Sequence, residues 1–225
     1  MRILLLSDLH GSYRHIYRTA CRHDPLDLIL LAGDLTHFGP KEALADLTAE
    51  LDLIESHVKI RLVWGNCDPA SEFIPLSNWF RDHYIGNRVI EDDQWVLAGI
   101  DGGLTSFFRT PNEYSEQDYS TVCDRILQHP AWQSDGKPRI VLSHLPPYGI
   151  LDKVRLNLHI GSRSLLPLLQ QSDLMICGHV HEQTGETTSG ICRVINPGPY
   201  KNGSYAVLEL DPDKSVTTRF FTNDD

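Results

Sequence analysis

No stretch of this 225-residue sequence stays apolar long enough to cross a bilayer as a helix. The opening run, Met1-Arg2-Ile3-Leu4-Leu5-Leu6, is too short for the apolar core of a signal peptide and lacks a small-residue cleavage site. Positive charge is scarce: 20 Lys and Arg stand against 30 Asp and Glu, a formal net charge of -10. Such an acidic chain is a poor non-specific binder of nucleic acid or anionic membrane. A phosphate substrate stays admissible, because bound cations can dominate the field of a site. Close cysteine pairs are missing as well. Cys21, Cys67, Cys123, Cys177 and Cys192 are scattered, which argues against a disulfide scaffold or zinc knuckle and fits a reduced, cytoplasmic setting. There is no internal repeat, low-complexity tract or linker. Residues 1–225 read as a single domain, 41% hydrophobic and large enough to bury a substantial core.

What the chain has is a recurring unit: a short apolar run followed at once by a turn carrying Asp, Asn or His. The run at residues 173–177 leads into Gly178-His179-Val180-His181. It reads as a buried strand. Gly178 ends it, and two imidazoles emerge at its carboxyl end, where open α/β sheets bind ligands. Imidazole is the commonest neutral metal ligand. Alternate residues of extended chain point to opposite sides, so a curling loop can offer the two rings to different ions. The unit recurs. Residues 2–6 precede Ser7-Asp8-Leu9-His10-Gly11, and residues 28–32 precede Gly33-Asp34. Residues 60–64 precede Gly65-Asn66-Cys67-Asp68-Pro69, and residues 139–143 precede His144, with Pro146-Pro147 stiffening the turn behind it.

Helical spacing of apolar residues predicts helices over 12–23, 41–57, 115–128 and 163–171. Ser115 opens the third, and Pro167 sits in the first turn of the last or kinks it. Strands alternating with helices predict βαβ units and a largely parallel sheet. Residues 89–90 and 95–100 read as a hairpin across Glu91-Asp92-Asp93, and residues 191–195, 204–210 and 215–221 as further strands. Phe107-Phe108 reads as core or a pocket wall, core being the first expectation.

Each turn residue alone has an ordinary explanation, since Asp at a strand end commonly forms a turn or caps a helix. Five strand ends together place one set of oxygen and nitrogen ligands on one sheet edge. That set suits borderline divalent ions: Mn, Fe, Zn, Co or Ni. A carboxylate shared between two ions would hold them roughly 3.5–4 Å apart, the spacing of two-metal hydrolases.

The series Asp8-x-His10, Gly33-Asp34, Gly65-Asn66-x-Asp68, His144 and Gly178-His179-x-His181 resembles the calcineurin-like metallophosphoesterases. The Gly65-Asn66-Cys67-Asp68 form, with Pro146-Pro147-Tyr148-Gly149 behind the histidine, is most similar to their small bacterial and archaeal phosphodiesterase branch. The resemblance implies an α/β fold, a four-layer α/β/β/α sandwich of two mixed β-sheets flanked by helices. It implies two divalent metal ions, manganese foremost. Asp8, His10 and His181 would hold the first, Asn66, His144 and His179 the second, and Asp34 would bridge them. It implies a phosphoesterase, a phosphodiesterase before a phosphomonoesterase, in which a hydroxide between the ions attacks phosphorus in line. A small phosphodiester or phosphomonoester, nucleotides included, would be the substrate.

One position departs from the commoner pattern. Many members carry a histidine where Cys67 stands, assisting the leaving group with support from the next carboxylate, here Asp68. A thiol is not pre-charged as an imidazolium is. Weaker phosphatase activity, or a leaving group needing less protonation, is expected. His37, just past Asp34, and His159, in His159-Ile160-Gly161-Ser162, are the candidates to supply the missing function. His15, His23, His57, His83 and His129 read as surface or helix residues.

Two other readings remain. The first is a non-catalytic protein-interaction scaffold of the same fold, against which all seven ligand positions are filled. The second is a nuclease of the superfamily, against which stand the acidic balance and the lack of a basic-aromatic tract. No membrane and no stable nucleic-acid partner are expected. A homo-oligomer stays open, with residues 71–87 read as an exposed lid or dimer contact. Substrate choice is expected in the loops at 102–108 and 148–162.

Overall fold

The computed structural model of the chain describes residues 1–39, 42–54, 58–73, 78–134 and 136–223. The apolar runs at Arg2–Leu6, Leu28–Ala32 and Arg139–Ser143 are nearly continuous rather than alternating, so they need cover on both faces. They obtain it near the middle of two stacked mixed sheets. The first sheet runs Val216–Phe221, Tyr205–Leu210, Arg2–Leu6, Leu28–Ala32, Lys59–Val63. Its last three strands are parallel and its first two add antiparallel. The second runs Gly185–Ser189, Cys192–Asn196, Leu174–Ile176, Arg139–Ser143, Val96–Ile100, Val89–Glu91. Its four central strands are parallel and both edges antiparallel.

The period of two divides each central strand between two cores. Ile3, Leu5, Leu28 and Leu30 pack against Leu97, Ile140, Leu142 and Ile176 between the sheets. Leu4, Leu6, Ile29 and Leu31 face outward onto Ile16, Leu44 and Leu47 of the helices Ile16–Arg22 and Ala43–Asp52. Val96, Ala98, Val141 and Met175 face outward onto Tyr119, Val122 and Ile126 of the helix Glu116–Leu127. The layers are helix, sheet, sheet, helix. Burying each such aliphatic side chain is worth about 1.5–3 kcal/mol. The ends of the strands are thereby fixed, and the loops that leave them inherit that rigidity.

Local departures from the sequence reading have local causes. The first helix begins only at Ile16, because His15 turns the chain with φ of 81°. The predicted 163–171 helix is a 3₁₀ turn, Arg163–Leu165, followed by Leu166–Leu169, with Pro167 in the opening turn where no N–H is required. Ser115 and Asp118 close a reciprocal capping box on the helix Glu116–Leu127. The 41–57 helix is Ala43–Asp52; Lys41 and residues 55–57, His57 among them, lie outside the described residues. The edge strand Gly185–Ser189 escaped the pattern because it is polar and largely exposed, so no alternation marks it. Phe107 and Phe108 are not core: they are 105% and 88% exposed. The described part of 71–87 is two-sided: Ser71, Glu72, Asn78, Arg81 and Asp82 are exposed and Phe80, His83 and Ile85 are buried, while residues 74–77 lie outside the described residues. His23 is also buried, its Nε2 lying 3.1 Å from the Tyr205 hydroxyl.

Candidate active site

The loops leaving the carboxyl ends of both sheets meet in one place and are stapled to each other through backbone. The Asp8 N–H donates to the Gly33 carbonyl at 3.0 Å and the His10 N–H to the Asp34 carbonyl at 2.9 Å. The His179 N–H donates to both oxygens of Asp8, at 3.2 and 3.1 Å. These staples hold Asp8, His10, Asp34 and His179 at φ of 53°, 46°, 50° and 69°. Left-handed backbone is uncommon for residues with a Cβ, and its clustering marks a site where surrounding structure enforces geometry. The motif glycines are required by close approach. A Cβ on Gly65 would lie 2.1 Å from Asp34 Oδ1, and one on Gly178 would lie 1.8 Å from Ser7 Oγ.

The side chains gather in two halves that share Asp34. In one, His181 Nε2 lies 3.1 Å from Asp8 Oδ1 and 3.4 Å from His10 Nε2. In the other, His144 Nε2 lies 3.0 Å from Asn66 Oδ1 and 3.2 Å from His179 Nδ1. Asp34 faces both with different oxygens: Oδ2 is 3.6 Å from His10 Nε2, and Oδ1 is 3.4 Å from His144 Nε2.

The protonation pattern tests whether this set fits cations. His144 Nδ1 donates to the Ala32 carbonyl at 2.8 Å, which leaves Nε2 as the inward atom. The Asn66 amide nitrogen points to Cys67 Sγ at 3.5 Å, which leaves its oxygen inward. Asn66 Oδ1, His179 Nδ1, Asp34 Oδ1 and His144 Nε2 thus all offer lone pairs to one volume. Such a set is held together by a cation or by a proton. Burial lowers the pKa of His144, but the adjacent Asp34 carboxylate outweighs it and raises the ring to about 9. Burial lowers His10 and His179 to about 4, so those rings stand neutral and free to ligate. Burial disfavours charge on Asp34 and Asp8 too, yet His144 and His181 respectively hold both carboxylates below their usual range. Ionised carboxylates, the neutral imidazoles of His10 and His179 and an amide oxygen suit a divalent metal, and a cation in place of the His144 proton would complete the set. Asp8, His10 and His181 form one metal-competent group, and Asp8, Asp34 and His144 another.

A family-wide sequence pattern described as calcineurin-like phosphoesterase matches residues 1–183. The chain belongs to that family. Over 227 residues it is 31% identical to an uncharacterized protein of Methanocaldococcus jannaschii, covering 98% of this phosphoesterase and 97% of the relative. A probable cyclic nucleotide phosphodiesterase of Rhodococcus erythropolis is 27% identical over 179 residues. That match covers 73% of this chain but 54% of the relative, so the chain spans about half of its length. Among solved structures, a dimetal phosphatase from Danio rerio shares the fold at a TM-score of 0.68 and 15% identity, covering 99% of this chain and 96% of that one. The calcineurin-like phosphoesterases depend on two metal ions, and this chain carries candidate groups of metal ligands.

Other residues singled out in the sequence take different places. Cys67 is buried beside the centre, and its N–H donates to Asp34 Oδ1 at 2.8 Å. Burial and then the Asp34 carboxylate push its thiol far up, so it stays neutral. Asp68 points away from the cluster into backbone. It accepts from the N–H groups of Leu35, Thr36 and Gly65 at 3.1, 2.7 and 2.8 Å, and from the Thr36 hydroxyl at 2.9 Å. It straps the loop carrying Asp34 to the loop carrying Asn66. His37 is exposed, and its Nδ1 lies 3.3 Å from His10 Nδ1, on the side of that ring turned from the cluster. His159 Nδ1 lies 2.6 Å from Asp152 Oδ1, and its ring packs by Tyr148. Neither His37 nor His159 is among the seven side chains of the cluster.

Three supporting residues went unread in the sequence. Ser7 Oγ donates to Asp8 Oδ2 at 2.6 Å and fixes that carboxylate. Asp152 is buried and accepts from the Gly149 and Gly161 N–H groups as well as His159. Asp101 is buried and accepts from the Trp64 N–H at 2.8 Å and from the Tyr84 hydroxyl, anchoring the strand that delivers Asn66. Ser7 and Asp101 carried a signal, their places at the ends of the strands Arg2–Leu6 and Val96–Ile100, and Asp152 carried none. A cavity of about 360 Å³ opens beside Asn66 and His179. Gly103, Leu104, Ser106 and Phe108 of the loop at 102–108 and Ile160 of the loop at 148–162 contribute to its walls, together with Glu113.

Proposed function

We propose that residues 1–225 form one domain acting as a dinuclear-metal phosphodiesterase on a small phosphoester. The observation that carries this is Asp34, whose two oxygens each face a different half of the cluster. Asp8, His10 and His181 would hold one ion, Asn66, His144 and His179 the other, with Asp34 common to both and manganese the proposed metal. Bound ions would supply charge neutralisation and a water of lowered pKa. The chain's own residues do the rest. The backbone staples and Ser7 keep the carboxylates from rotating, so little reorganisation accompanies the reaction. The neutral Cys67 thiol offers no positive charge to a departing oxygen. That favours substrates with a good leaving group over alkyl monoesters. The name of the Rhodococcus relative extends the substrate range to nucleotides. Five free cysteines support a reducing, cytoplasmic setting. Among the described residues no helix is long and apolar enough to cross a membrane.

The test is hydrolysis of a chromogenic diester and its matched monoester by metal-stripped protein reloaded with manganese, iron, nickel or zinc. Metal-dependent diester turnover above monoester turnover is expected. Asp34→Asn should lower both metal content and turnover. Wild-type values for that variant would refute the shared-carboxylate centre.

A further inference from the structure

The cavity beside Asn66 and His179 holds chemistry that the metal centre does not use. Among the described residues its walls carry no Lys or Arg, so a second phosphate or a carboxylate placed there would find no basic side chain and would meet Glu113. Three of its polar side chains, Glu113, Ser106 and Thr110, are already occupied with one another. Glu113 accepts from the Ser106 N–H and hydroxyl at 2.9 and 2.7 Å, and from the Thr110 N–H and hydroxyl at 2.8 and 2.7 Å. What remains for a ligand is largely the apolar surface of Leu104, Ile160 and Phe108.

Phe108 has no packing reason to be where it is. It is 88% exposed, on a loop that the Glu113 hydrogen bonds hold in place and that also ends in the backbone pairing of Gly103–Leu104 with Glu113–Tyr114. An aromatic side chain kept in water by an ordered loop, at the mouth of a cavity of ligand size, is arranged to meet another ring. We infer that this cavity is the subsite for a planar aromatic substituent of the phosphoester, with Phe108 as its stacking platform. The inference rests on the phosphoesterase reading above and narrows its substrate class to aryl esters and their chemical equivalents, nucleosides included. A ring is favoured over a flexible chain because stacking on a fixed face demands little ordering of either partner. Phe107, next in the chain and 105% exposed, is not among the cavity's lining residues.

The experiment measures calorimetric binding of phenyl-, cyclohexyl- and methylphosphonate to manganese-loaded protein. Wild type should bind phenylphosphonate about tenfold more tightly than methylphosphonate, the size of one stacking contact, and more tightly than cyclohexylphosphonate. Phe108→Ala should erase the phenyl-to-methyl ratio, whereas Phe107→Ala should keep it. An unchanged ratio in Phe108→Ala overturns the platform. Equal binding of cyclohexyl- and phenylphosphonate overturns the aromatic preference. Methylphosphonate binding without a phenyl advantage sinks the subsite and leaves the metal site standing. Failure to bind any of the three overturns the phosphoesterase reading and the subsite together.

Discussion

Alanine at position 68 would leave three buried backbone N–H groups, of Leu35, Thr36 and Gly65, facing a void where a carboxylate stood. The Thr36 hydroxyl can rotate to another partner, but backbone N–H groups cannot. Each buried donor stripped of its acceptor costs about 1–3 kcal/mol, so the direct sum is about 3–9 kcal/mol. Water entering the space relieves part of it, which places the expected loss near 4 kcal/mol. For a chain of this length each kcal/mol moves the thermal midpoint by about 2–4 °C, a drop of about 8–16 °C. Asp68→Asn keeps one carbonyl oxygen and turns an amide group toward the remaining donors, so it should recover only part of the loss. The assay is urea and thermal unfolding of metal-free protein, followed by tryptophan fluorescence, with metal content measured on both variants at a temperature where they are folded. The reasoning predicts that stability falls first and that ion affinity weakens with it, because Asp68 straps together the loops that carry Asp34 and Asn66. A midpoint within about 2 °C of wild type, with turnover abolished and metal content intact, would refute it. That result would return Asp68 to the chemical step, the role its motif implies.

Gly178→Ala would place a Cβ 1.8 Å from Ser7 Oγ and 2.6 Å from Asp8 Oδ2, so both side chains must shift. The expected cost is about 1–3 kcal/mol of stability together with a loss of at least about tenfold in affinity for the ion held by Asp8, His10 and His181, read by metal titration. Glu113 responds to pH in the opposite sense from a buried acid. Burial is the largest single influence and raises its pKa, but the four donors from Ser106 and Thr110 together outweigh it and bring it down from 4.5 to about 2. A carboxyl group with a depressed folded-state pKa stabilises above its unfolded value and loses that contribution as pH falls. The loop at 103–110 should therefore loosen between about pH 4.5 and 2, seen as faster exchange of the Ser106 and Thr110 amides, and Glu113→Gln should show the faster exchange already at pH 7.

The ligands were legible because two physical signals coincide at their positions. Strands covered on both faces leave uninterrupted apolar runs, and the first polar residue after such a run must emerge at a sheet edge. At Asp34, Asn66, His144 and His179 that residue is also of ligating type, and Asp8 follows one serine later. Asp101 satisfies the same rule and serves a different end: its carboxylate turns back onto the Trp64 N–H and the Tyr84 hydroxyl. Residue type and strand position therefore locate the edge, while the direction of the side chain depends on neighbours distant in sequence. His159 shows the same limit, since its ring is engaged by Asp152, seven residues away and itself silent in the sequence. Phe107-Phe108 fails for the converse reason. An apolar pair is ordinarily core, and what keeps this one in water is the Glu113 carboxylate binding Ser106 and Thr110, an arrangement of three residues that no periodicity encodes. The left-handed backbone at Asp8, His10, Asp34 and His179 is equally invisible, because nothing in those side chains demands it. It is imposed by the loops being stapled together. The glycines beside them are its one trace in the sequence, required at Gly65 and Gly178 by neighbouring side chains of the site rather than by any turn of their own.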